Sequence, residues 1–204
     1  MLFKGKAGNI MNRNKLNKDI DSFAYWNVPR VDLSSCLADE RESAFRRVYC
    51  PGFPSGYRQR LLNTSGVGYV FVGKNRGNRG NAEELANFHG SIQSADYRLA
   101  AAAYGTATWG AFMTDISDEV NSNSREVKLR TENVETLMKH LKDVGIPNTV
   151  TLIALGKDVY TTLEANKGLI PGKIVRIPHY SRINIGKYPH WDAYKVHELL
   201  QKMP

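Results

Sequence analysis

The chain has 204 residues, enough for one well-cored domain with a modest extension and too few for two comfortable domains. Hydrophobic residues at 42% and charged residues at 24% exclude wholesale disorder, and no apolar run approaches the roughly 18–20 residues of a membrane span. Lys and Arg total 28 against 20 acids, a net charge of +8 that points to a phosphate-bearing partner only where the cations cluster.

They do cluster. Residues 1–18 carry Lys4, Lys6, Arg13, Lys15 and Lys18 without an acid. The same holds for Lys74, Arg76 and Arg79 within residues 73–80, and for Lys167, Lys173, Arg176, Arg182 and Lys187 within residues 167–187. The N-terminal stretch lacks an apolar core followed by a small-residue cleavage site, so the expectation is a soluble, cytoplasmic protein with no membrane partner and a monomer by default. Cys36 and Cys50 sit in neither a CxxC nor a CxxH setting. Two thiols cannot hold a four-cysteine cluster, and they read as free thiols.

Along the chain, residues 1–65 are irregular and broken by Pro29, Pro51 and Pro54, with one helix expected over Leu37–Val48. They read as an N-terminal extension packed on a domain spanning residues 66–204. From Tyr69 onward short apolar runs alternate with helical stretches. The runs are Tyr69–Gly73, Trp109–Asp115, Thr149–Gly156 and Lys173–His179. The helical stretches are Ser94–Tyr104, Thr131–Val144, Lys157–Lys167 and Trp191–Met203. Continuous β-branched and aromatic runs suit strands buried on both faces. The alternation predicts an α/β fold, a three-layer α/β/α arrangement around a mainly parallel, four-stranded sheet.

That fold gathers the loops after the strands at one edge, where open α/β sheets bind ligands. The basic stretches at 73–80 and 167–187 both lead there. Singly, the residues in these loops have ordinary explanations. Gly73–Gly77 serves as a turn, Asp115 as a helix cap, Phe88 as core, and His179 as a solvated residue past a strand. The loop at Gly73 is neither a Walker A nor a dinucleotide motif, no nucleophile elbow surrounds Ser181, and the five histidines show no metal-ligand spacing.

Taken in order, these segments resemble the uracil-DNA glycosylase superfamily. Its mismatch-specific and single-strand-selective branches carry Gly-x-Asn-Pro-Gly after the first core strand, matched here by Gly73, Asn75 and Gly77. An aromatic residue about ten positions later stacks on the extruded base, and Phe88 stands at that separation. A residue at the end of a middle strand reads the base edge, where Thr114 and Asp115 fall. His-Pro-Ser-Pro-x-Asn after the last core strand is matched by His179, Ser181 and Asn184. The resemblance spans about Tyr69 to Asn184. Arg76 replaces the proline of the first motif and Tyr180 a proline of the second, and Asp115 replaces the Asn usual in uracil-specific members.

The resemblance implies hydrolysis of an N-glycosidic bond in single- or double-stranded DNA, on a uracil-like or related damaged base flipped from the stack, without metal or organic cofactor. Asn75 would position water and His179 would donate to the departing base. Gly73, Lys74, Phe88 and Asp115 would hold the base. Arg76, Gly77, Ser181, Arg182, Asn184 and Lys187 would meet the DNA, with Ile183 wedged into the space the base leaves. Asp115 carries a conflict. Ionised, it only accepts, and against a uracil carbonyl two acceptors would be opposed at a cost of about 1–3 kcal/mol. Either burial protonates it, or the base presents a donor such as an exocyclic amine or a second ring N–H. A non-catalytic nucleic-acid binder and a nucleoside or other-base N-glycosidase on the same scaffold remain the alternatives.

Overall fold

The structure, a computed structural model, describes residues 11–33, 36–56, 68–78, 83–181 and 191–203. Its centre is a five-stranded sheet in the order β1-β3-β2-β4-β5. The strands are β1 (Ser22–Phe23), β2 (Tyr69–Asn75), β3 (Phe112–Ser117), β4 (Thr151–Leu155) and β5 (Ile174–Ile177). The four strands expected from the apolar runs are mutually parallel. The fifth corrects that count: β1 lies in the stretch read as an extension and pairs antiparallel with the edge of β3, Ser22 with Met113 and Phe23 with Phe112. Two residues are too few to show a strand period, so nothing in the sequence marked it.

Both faces of the sheet are covered. On one side Tyr69, Phe71, Met113, Ile153, Leu155 and Ile177 pack against α1 (Ala38–Arg47), α2 (Tyr97–Ala103) and α5 (Ala193–Gln201). Alanines 100–103, all nearly inaccessible, keep α2 slim enough to lie close to the sheet and to both neighbouring helices. On the other side Val70, Val72, Phe112, Ile116, Leu152 and Ala154 pack against α3 (Thr131–Val144) and α4 (Lys157–Ala165). Alternate residues of each strand thus feed two separate cores, which is why the runs are apolar throughout.

Strand order fixes where a ligand can bind. The chain leaves β2 for β3 on one side, and leaves β4 for β5 on the other. The two departing connections diverge, and a crevice opens beyond the carboxyl ends of β2 and β4. A buried polar knot ties the N-terminal segment to this frame. Asp21, fully buried, accepts from Thr114 Oγ1 at 2.7 Å and from the Asn17 N–H at 2.7 Å, and meets His140 Nε2 of α3 at 2.9 Å. The bond to Asp21 pushes the His140 pKa up, which favours the charged form of the ring. Among the described residues no helix is long and apolar enough to cross a membrane.

Candidate functional site

A cavity of about 560 Å³ occupies the crevice, within the size range of small-ligand sites. Gly73, Asn75, Phe88, Asp115 and His179, expected from separate stretches of sequence, all line it. Lys74, Arg76, Gly77 and Ser181 also border it, whereas Arg182, Ile183, Asn184 and Lys187 lie outside the described residues.

The floor is set by strand register. Gly73 of β2 stands opposite Asp115 of β3, and both point to the face carrying α2. A Cβ on Gly73 would lie 2.2 Å from Asp115 Oδ1 and 2.8 Å from Phe88 Cε1. Glycine is therefore needed here for close approach: the carboxyl and the ring rest directly on the strand. Asp115 is neither at the end of its strand nor a helix cap, since β3 runs on to Ser117. It is 6% exposed, and burial pushes its pKa up to about 7. The hydrogen bond from Asn87 pulls the other way, and the negative charge of Asp21 adds to the rise.

Asn87 went unnoticed beside Phe88. Its Nδ2 donates to Asp115 Oδ2 at 2.7 Å and to Ile20 O at 3.2 Å. Phe88 is both core and cavity wall, 7% exposed with its ring edge against Gly73. The loop bearing these two residues is bracketed by Leu85 and Ala95, non-glycine residues with φ of 64° and 63°. Such backbone costs on the order of 1–3 kcal/mol per residue and persists only where surrounding contacts over-determine it. Here they do: the Leu85 N–H donates to Lys18 O, and the fully buried His89 ring nitrogen Nε2 meets Phe23 O at 2.9 Å.

Asn75 departs from its expected bonding. It closes β2 rather than lying in the loop, and its Nδ2 donates to Arg76 O at 2.9 Å and to Asn121 O at 2.8 Å. Both N–H groups are spent on holding the loop, and Oδ1 is buried without a partner among the described residues. The side chain that was expected to donate and accept is left as an acceptor.

His179 follows β5 and is half-buried, with its ring stacked on Tyr180 at a centroid distance of 4.7 Å. Burial pushes its pKa down to about 4, so the ring is neutral at pH 7. Its Nδ1 accepts the backbone N–H of Ser181 at 3.1 Å, which places the single ring proton on Nε2. The loop is fixed further by Arg98, which donates to Tyr180 O and pairs with Glu42. Beside His179, Gly156 turns the chain from β4 into α4 at φ 100°, a conformation that favours glycine, with His179 Cβ 3.6 Å from where its own Cβ would stand.

The cations divide into two groups. Lys74 pairs with Asp158 at 2.7 Å and Arg76 with Asp19 at 3.0 Å, so the lysine expected at the base and the arginine expected at the DNA already hold acids. Arg125, Lys157 and Arg176 line the same cavity and are exposed, and no ion pair engages them among the described residues. Arg176 lies over the Tyr160 ring at 5.5 Å. Lys167 and Lys173 precede β5 and belong to the opposite edge of the sheet, which leaves Arg176 as the described cation of that stretch at the site. Cys36 and Cys50 are free thiols, and among the described residues no group of His, Cys, Asp and Glu is placed to hold a metal ion. No family model, curated protein or solved structure matches this chain.

Proposed function

We propose that the chain is a DNA N-glycosylase of the uracil-DNA glycosylase type, hydrolysing the bond between sugar and base on a nucleotide swung out of the stack. The observation that carries the reading is the convergence of Asn75, Phe88, Asp115 and His179 on one cavity at the point where the strand connections diverge. Phe88 offers an apolar ring beside the buried polar groups, suited to holding a flat base whose edge meets Asp115.

The chemistry asks for little more than position. A water oxygen bonds to C1′ of the sugar as the C1′–N bond breaks, and the bonding electron pair leaves on the base. Water gives up a proton to solvent, and the base anion gains one. Asn75 Oδ1 is closed to water in this structure and must first be uncovered; it would then take one O–H of that water and turn its lone pair toward the sugar. Neutral His179, with its proton on Nε2, would donate to a carbonyl of the departing base and stabilise the negative charge developing there. Arg125, Lys157 and Arg176 around the mouth suit the phosphates on either side of the flipped nucleotide.

The test is incubation with single- and double-stranded oligonucleotides carrying uracil, hypoxanthine, xanthine or a normal base, scored as alkali-labile breaks. Asn75→Ala and His179→Ala should each lower base release by on the order of 10²-fold or more with binding nearly intact. Salt-dependent binding without breaks would make the protein a binder. Release from nucleosides alone would make it a nucleoside hydrolase.

A further inference from the structure

The polar side chains on the cavity floor have already spent their N–H groups. Asn87 gives its amide to Ile20 O and Asp115 Oδ2, and Asn75 gives both of its N–H groups to Arg76 O and Asn121 O. All four partners are acceptors, so neither amide can be turned round without opposing oxygen to oxygen. Oxygens remain: Asn75 Oδ1, Asn87 Oδ1, and Asp115 Oδ1 resting on Gly73. Neither remaining oxygen of Asn87 or Asp115 takes a hydrogen bond from a described residue. Among the neutral donors lining the same cavity are the Nε2–H of His179 and the Tyr180 hydroxyl.

A base edge that presents a carbonyl to Asp115 and Asn87 would face oxygen. An amino group has two N–H donors for two such acceptors, and the acceptors belong to side chains already joined by a 2.7 Å hydrogen bond. We propose that the cavity selects a cytosine-type base, its exocyclic amine shared between Asp115 Oδ1 and Asn87 Oδ1 and its ring carbonyl taken by His179, over the corresponding oxo base. The identity of the ligand as a base in DNA rests on the glycosylase reading, while selection of the amine does not need the chemistry. Asn87 then becomes a specificity-determining residue. It supplies one acceptor, and by filling Oδ2 it leaves Asp115 a single oxygen for the ligand.

Cytidine and uridine, which differ at this edge, are titrated into the full chain at pH 8 and followed by NMR. Cytidine should bind roughly 10-fold or more tighter, the scale of leaving a buried polar group opposed instead of paired. Asp115→Asn, close to isosteric, should erase or reverse the preference, because its amide can donate to the uridine carbonyl. Equal or tighter binding of uridine to the unaltered chain, or an unchanged preference in the variant, would overturn the inference. The two readings separate in a parallel assay on oligonucleotides. Release of uracil with no release of a cytosine-type base ends the amine inference and leaves the glycosylase. A cytidine preference without release from any oligonucleotide does the reverse. No binding of either nucleoside at millimolar concentration, together with no release, ends both.

Discussion

The backbone N–H of Ser181 donates to Nδ1 of His179 across 3.1 Å, so one hydrogen bond two residues along the chain decides which face of the imidazole can act. With Nδ1 an acceptor and the pKa pushed down to about 4 by burial, the ring meets a ligand as a neutral N–H donor.

Base release should therefore show no inflection from His179 between about pH 5 and 8, where an ordinary histidine near 6.5 would give one. The sign for stability follows. Between about 6.5 and 4 the unfolded chain takes a proton that folded His179 refuses, so this residue makes the protein less stable as pH falls through that window. His89, buried and also pushed down to about 4, contributes in the same direction. The quantity to measure is therefore the difference in Tm between the unaltered chain and His179→Gln from pH 4 to 7. That difference should shift in favour of the variant at the acid end. A constant difference would mean that His179 titrates normally.

Gly73→Ala should damage the site before any ligand is present. The new methyl would stand 2.2 Å from Asp115 Oδ1 and inside contact distance of the Phe88 ring, and neither is a loose surface group. Over-packing of this kind costs about 1–3 kcal/mol, and the carboxyl and ring must move apart to accept it. Denaturant unfolding should show the loss, and base release should fall further than stability alone explains. A variant with unchanged stability and activity would mean that Asp115 and Phe88 are not pressed on the strand.

Among the cations, Arg125, Lys157 and Arg176 should matter more to DNA than Lys74 and Arg76. A phosphate contact by either of the latter must first displace Asp158 or Asp19, while the former three face the cavity mouth without an ion pair among the described residues. Replacing each of the three with Ala should weaken binding to all sequences alike and reduce the salt slope by roughly one unit per contact. Lys74→Ala and Arg76→Ala should move it less. Equal slopes in all five variants would remove the distinction.

The sequence carried the parts of this molecule that repeat and hid those that depend on a single contact. Strands buried on both faces betray themselves as apolar runs, so β2 to β5 and the helices between them were legible; the helix at Thr131–Val144 was expected with the bounds it has. Asn75, Asp115 and His179 stand out because each follows or ends such a run, Phe88 because of its separation from the motif at Gly73–Gly77, and strand order brings all four to one cavity. Asn87 left no such trace, since its place is set by hydrogen bonds to Ile20 and Asp115, distant in sequence. The same holds for the loss of Asn75's donors to Asn121 and for the capture of Arg76 by Asp19. Charge runs marked where cations are dense, and only the folded chain distinguishes a paired lysine from an available one.

Asp115 titrates in the middle of the working range, and its effect on stability can be read without substrate. Burial raises its pKa from an ordinary 3.8 to about 7, with Asp21 adding to the rise and the Asn87 hydrogen bond opposing it. Between those values the folded chain holds a proton that the unfolded chain has released. Its contribution to stability is thus complete below about 3.8 and lost as pH rises through about 7. Asp115→Asn cannot titrate and escapes that loss, so its Tm should gain on the unaltered chain steadily from pH 4 to pH 8. Asp96, raised to about 6 by the same burial, and His140, raised by Asp21, are present in both proteins and cancel in the difference. Asp21→Asn should shift the midpoint of that difference to lower pH, because it removes a charge that disfavours the Asp115 carboxylate. If instead the Tm difference is flat across the range, Asp115 is ionised throughout and its carboxylate is solvated rather than buried.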